Sequence, residues 1–133
     1  MAITRRQAAL ALAPACFAHA AQAATLPEAM ARARALRGQA ERGGDQPYGA
    51  VVLRGDTIVG EGPSRVVING DPTAHAEMEA IRDAARRLGT RDLSGCMLVS
   101  TSRPCRMCEA AAGWARIERM VHGDGLTDAG RPS

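Results

Sequence analysis

Two short clusters hold the residues best suited to chemistry. His75-Ala76-Glu77 reads His-x-Glu, and thirty residues on from His75, Pro104-Cys105-Arg106-Met107-Cys108 reads Pro-Cys-x-x-Cys. One imidazole and two thiolates form a donor set suited to Zn2+, and three protein ligands leave the fourth tetrahedral position to water. A metal site of that kind does hydrolysis, because the cation acidifies its water. Glu77 is the fourth member. Residues two apart do not share a helix face, so its carboxylate is expected beside the metal rather than on it. From there it can take a proton from the water and deliver it elsewhere.

Taken singly, each residue has an ordinary reading. His75 would be a surface or helix-capping histidine and Glu77 a solvated helix residue. Cys105 and Cys108 would be a dithiol redox pair. The conjunction of both motifs, with a strand expected between them, favours the metal site. Cys105 and Cys108 lie three apart at a helix start, so their sulfurs share a face, and the helix dipole there is expected to favour thiolates.

The elements that must position these groups follow from periodicity and breakers. Leu26 to Arg42 is predicted helical, with Ala29, Met30, Ala33, Leu36 and Ala40 on one face and Pro27 in the first turn. Gly43-Gly44-Asp45-Gln46-Pro47 breaks it. Tyr48 to Leu53 and Thr57 to Gly60 form a hairpin around Arg54-Gly55-Asp56. A loop over Glu61 to Gly70 follows. Asp71 is expected to cap a second helix, with Pro72 at its first position and Gly89 at its end. Cys96 to Ser100 is a short buried strand. Pro104 opens a third helix from Cys105 to about Arg116, and Ile117 to His122 is a last strand. The tail from Gly123 to Ser133 shows no periodicity. Helix, hairpin, helix, strand, helix, strand is the order of an α/β protein with a mixed sheet.

The 133 residues suit one domain. Residues 1–23 are expected to be an export leader: paired Arg5 and Arg6, an Ala-rich apolar stretch interrupted by Pro14, and an Ala21-Gln22-Ala23 cleavage site. The paired arginines point to the twin-arginine route and hence to a periplasmic or secreted protein. An amphipathic N-terminal helix is the competing reading, weakened by Pro14 and by the absence of any acid before Glu28. The stretch is too short and interrupted to span a membrane. The mature domain, 24–133, carries 15 arginines against 14 acids and no lysine. That near-neutral balance argues against a nucleic-acid partner.

The two motifs together are the signature of zinc-dependent base deaminases. The chain resembles the cytidine deaminase-like superfamily, in its branch of guanine deaminases and tRNA adenosine deaminases. The resemblance rests on Pro47 through Val52, Asp71 through Ala80, Ser100 through Cys108, and Trp114 through Ile117, and it covers roughly residues 26–127. It implies a three-layer α/β/α sandwich with zinc on His75, Cys105 and Cys108. It also implies Glu77 as proton shuttle, a substrate contact from the backbone N–H of Ala76, and a homodimer. The implied reaction is hydrolytic deamination of a small nucleobase or nucleoside. A guanine-like purine is the first expectation and a cytosine-type pyrimidine the second. Activated water attacks the amine-bearing ring carbon, and ammonia leaves.

Three departures from the family pattern bear on specificity. Ser64 stands eleven residues before His75, where the family commonly reads the base with an asparagine; we expect Ser64 to take that contact. Arg103 replaces the glutamate usual before Pro-Cys-x-x-Cys. The chain stops at Ser133, so a fifth strand and a closing helix are expected to be missing. These departures keep open a second reading, a non-catalytic binding protein that retains zinc as a structural element. A thiol oxidoreductase is the third, and it leaves His75 and Glu77 unexplained.

Overall fold

The computed structural model describes residues 23–133. The leader expected over 1–23 lies outside these, apart from Ala23. The elements run α1 (Leu26–Arg42), β1 (Gly49–Arg54), β2 (Thr57–Pro63), α2 (Ala76–Leu88), β3 (Cys96–Ser100), α3 (Arg106–Trp114), β4 (Arg119–His122) and β5 (Thr127–Gly130).

Five strands form one sheet in the order β2-β1-β3-β4-β5. β1 is antiparallel to β2 and β3, β3 and β4 are parallel across the α3 crossover, and β5 returns antiparallel to β4. Alternate residues of the central strands feed two cores. Val51, Leu53 and Val99 pack with Ala29, Met30, Ala33 and Leu36 of α1. Ala50, Val52 and Leu98 pack with Ala76, Ala80 and Ala84 of α2 and Ala112 of α3. The result is the expected three-layer sandwich, α1 on one face and α2 with α3 on the other. Among the described residues no helix is long and apolar enough to cross a membrane.

The chain approaches itself closely where α2 lies on β2. Ala76, Ala80 and Ala84 recur every four residues along the helix, and Gly60 and Gly62 face them from the strand. A side chain on either glycine would collide with helix backbone. Alanines against glycines allow this backbone-to-backbone packing, and it sets the height of the α2 N-terminus above the sheet.

Three expectations are corrected. Helix α2 starts at Ala76, five residues after Asp71, and His75 is its N-cap. The Asp71 carboxylate instead accepts from the backbone N–H and hydroxyl of Thr73, at 2.8 and 2.7 Å. That closed local turn competes with helix and delays its start. Strand β2 runs on to Pro63, beyond the expected end at Gly60. A fifth strand is present after all. Thr127–Gly130 is only four residues long and has no large apolar side chain, and it gains its hydrogen bonds by lying against β4. A segment that short carries no period of its own.

Candidate functional site

The end of the sheet where β1 begins and β3 finishes gathers the chemistry. Ala50 of β1 pairs with Ser100 of β3 there, and the N-termini of α2 and α3 both point at this end. His75 is the N-cap of α2 and Cys105 the N-cap of α3; both have extended backbone, and neither side chain caps its helix. They are turned toward each other instead. His75 Nδ1 lies 3.7 Å from Cys105 Sγ and 3.7 Å from Cys108 Sγ.

These spacings test the fit of a metal. Zn–S bonds of about 2.3 Å and Zn–N bonds of about 2.0 Å at tetrahedral angles put sulfur and nitrogen about 3.5 Å apart. The three donor atoms all lie within 4.8 Å of one another. His75 is half-buried, Cys105 exposed and Cys108 buried. The residues fit a zinc ion in donor type and in spacing.

The expected thiolate-favouring effect of the helix start does not prevail at Cys108. Burial pushes its thiol well above the ordinary range, and the neighbouring Glu77 carboxylate and Cys105 push the same way. A cation is what this pair of sulfurs and one carboxylate lacks. A bound metal would supply it.

Glu77 sits beside the cluster and is 4% exposed. Its two oxygens have different neighbours: Oε1 accepts from Ser100 Oγ at 3.0 Å, and Oε2 faces the Cys108 thiol at 3.8 Å. Glu77 is thus outside the ligand set and adjacent to it. A cavity of about 680 Å³ opens onto the cluster, lined by Gln46, Pro47, Tyr48, His75, Glu77, Ser102, Arg103 and Cys105. Arg103, the reversed charge, is therefore on the cavity wall.

The chain belongs to the cytidine and deoxycytidylate deaminase zinc-binding family. Its model matches residues 23–124, which include all three donors and Glu77. Among similar proteins, the tRNA(Ile)-lysidine synthase of Deinococcus radiodurans is 48% identical over 106 residues, covering 79% of this chain and 18% of that protein. The guanine deaminase of Bacillus subtilis is 42% identical over 83 residues, 62% of this chain and 53% of that one. Its solved structure superposes with a TM-score of 0.69 at 38% identity, over 71% of this chain and 61% of the other. The tRNA-specific adenosine deaminase of Aquifex aeolicus is 44% identical over 78 residues, 59% of this chain and 52% of that one. This member of the family thus spans about half the length of the two deaminase relatives and a smaller share of the synthase.

The remaining expected site residues divide. Ala76 is the first residue of α2, so its N–H has no intrahelical acceptor and points out of the helix end beside His75. Ser64 does not line the cavity. It is 1% exposed and its hydroxyl donates to Asp45 Oδ1 at 2.8 Å. Asp45 in turn accepts from the backbone N–H groups of Gln46, Val67 and Ile68 at 2.8, 3.0 and 2.9 Å. One buried carboxylate thus pins the loop after β2 to the segment that carries Gln46 and Tyr48. Burial acts to raise the Asp45 pKa, but the N–H groups of Ile68 and Gln46, the Ser64 hydroxyl and the Val67 N–H outweigh it and hold it below the ordinary carboxylate range. Sequence reasoning passed over Asp45, which looks like part of a breaker, and Ser100, which looks like the end of a strand.

Proposed function

We propose that this domain is a zinc-dependent hydrolytic deaminase of a small purine-like nucleobase or nucleoside. One observation carries the reading: a buried carboxylate, Glu77, stands next to the His75–Cys105–Cys108 donor set on the wall of a cavity of about 680 Å³. A structural zinc site has no use for that carboxylate.

When bound, zinc would polarise a water molecule and make it nucleophilic at neutral pH. The chain's residues do the rest. Glu77 takes the water's proton and delivers it to a ring nitrogen of the substrate, activating the adjacent amine-bearing carbon. Once the water oxygen has added to that carbon, Glu77 takes the second proton, from the new hydroxyl, and passes it to the amine; the C–N bond breaks, ammonia leaves and the C–O group becomes a carbonyl. The Tyr48 ring on the cavity wall offers a face for stacking a flat base. The Gln46 amide, donor and acceptor at once, can read a base edge. The helix-end N–H of Ala76 is placed to donate a hydrogen bond to a carbonyl oxygen of the substrate.

A guanine-like purine is the first choice because the similar proteins include a guanine deaminase that superposes on this fold. Relatives named for tRNA adenosine support a second reading, adenosine within an RNA loop. The near-neutral balance of residues 24–133 gives that reading little electrostatic help. A cytosine-type pyrimidine ranks below both. The leader motif supports action in the periplasm or outside the cell; cell fractionation of the tagged full chain tests this, and retention in the cytoplasm refutes it.

The deciding experiment is ammonia release by zinc-loaded protein. The panel is guanine, adenine, cytosine, their nucleosides and an anticodon stem-loop, with Glu77→Ala as control. Release from one compound, abolished in the control, supports the reading and assigns the substrate. Stoichiometric zinc with no release from any compound refutes it and favours a binding protein with a structural zinc.

A further inference from the structure

Ser100 is the last residue of β3 and is 1% exposed. Its hydroxyl faces two acceptors, Glu77 Oε1 at 3.0 Å and the backbone carbonyl of Ser102 at 2.7 Å. A serine hydroxyl has one proton and two lone pairs, so it serves only one of these acceptors at a time. Among the described residues no other donor reaches Oε1. Glu77 itself is buried, and rotation about its last torsion is soft. Without a partner on Oε1, only the long 3.8 Å contact of Oε2 with the Cys108 thiol distinguishes the two oxygens.

We propose that Ser100 is a positioning residue for Glu77: it holds Oε1, and so reserves Oε2 for the donor cluster and the reacting water. This inference rests on the deaminase reading. While Glu77 is a carboxylate, Ser100 donates to it. While Glu77 carries the proton in transit on Oε2, Oε1 keeps its lone pairs and Ser100 goes on donating to it. The carboxyl group therefore keeps a hydrogen-bond partner at each stage of the transfer and need not rotate. A side chain without a hydroxyl at position 100 cannot do this, whereas threonine can.

The test uses full-length zinc-loaded protein carrying Ser100→Ala or Ser100→Thr, each also combined with Glu77→Ala. Loss of a residue that orients a reactive group costs about 10- to 100-fold. Ser100→Ala is expected to lower kcat by about that factor with KM within about twofold and one equivalent of zinc retained. Ser100→Thr is expected to recover most of the loss. Two kinetic results would overturn the proposal: an unchanged kcat in Ser100→Ala, or a Ser100→Thr variant no better than alanine. A second readout needs no substrate. In urea denaturation of the zinc-loaded variants, the midpoint shift caused by Ser100→Ala should shrink in the Glu77→Ala background. Additive shifts would show that the contact carries no coupling. If the wild type deaminates nothing, the deaminase reading fails, while this cycle still decides whether Ser100 holds Glu77.

Discussion

The height of α2 above β2 should govern the metal site, and Gly62→Ala is the substitution that tests it. A Cβ at position 62 would fall inside van der Waals contact of the Ala76 carbonyl oxygen, and lie 2.5 Å from Ala80 N and 2.8 Å from Glu79 Cβ. Restoring an ordinary contact of about 3.4 Å requires the helix start to rise by about 1 Å, since fixed backbone atoms cannot step aside as a side chain can. Overpacking of this kind costs about 1–3 kcal/mol, or roughly 5–20 °C in Tm for a domain of this size. His75 immediately precedes Ala76, so the same displacement pulls Nδ1 away from the sulfurs it now faces at 3.7 Å. A misplacement of about 1 Å costs a catalytic site on the order of 100-fold. Two assays follow: thermal melts with and without zinc, and competition for zinc against a chromophoric chelator. Gly60→Ala is the paired control. Its Cβ meets Ala80 O and, at 2.7 Å, Ala84 N and Cβ. It should therefore destabilise the fold comparably while sparing zinc affinity. Gly125→Ala, whose Cβ would meet only Thr127 Oγ1 at 3.8 Å, should change neither. Equal zinc loss in the Gly60 and Gly62 variants would refute the argument, because the effect would then be one of global stability. So would a Gly62→Ala protein with wild-type Tm and zinc affinity.

Three further outcomes are expected. Chelation should destabilise the domain: with zinc at a hundred times its Kd the linkage is about 2.7 kcal/mol, so Tm should fall by roughly 10–20 °C, and a melt unaffected by chelator and by added zinc contradicts metal binding. Asp45 has a lowered pKa in the fold, so its contribution to stability is complete above its unfolded value of about 3.9 and drains away as pH falls from there through the folded value. Asp45→Asn should therefore melt below the wild type at pH 7, with the gap closing below about pH 4; a gap independent of pH would assign the effect to shape rather than charge. Leu98→Ala, at a fully buried position of the central β3, should cost about 2–5 kcal/mol by cavity formation, read from urea denaturation at saturating zinc, and a cost under about 1 kcal/mol would mean that the core collapses around it.

How much of the site was legible depended on how local its determinants are. The donors were readable because metal chemistry restricts them to a few residue types at short spacings. Helix α1 was readable over Leu26 to Arg42 because its apolar stripe, Pro27 and glycine stop all lie within one segment. The end of α2 at Gly89 was readable for the same reason: Gly89 takes the left-handed backbone that ends helices. By contrast, the start of α2 turned on whether Asp71 would bond to a helix or to its own neighbour Thr73. Both options are local and chemically alike, and the fold chose the second.

The sequence by itself determined the identity of the metal donors, the position of the carboxylate proposed as proton shuttle and the α/β order, since each is encoded in residue type and near-neighbour spacing. Tertiary structure alone decided the partners of the buried polar groups. Ser100 meets Glu77 across 23 residues of chain and Ser64 meets Asp45 across 19. Neither pairing leaves a periodic trace, because a single hydroxyl needs only one acceptor and any fold that buries it must supply one. Here those pairings set which oxygen of Glu77 faces the cluster, and they commit Ser64 to the loop that frames the cavity.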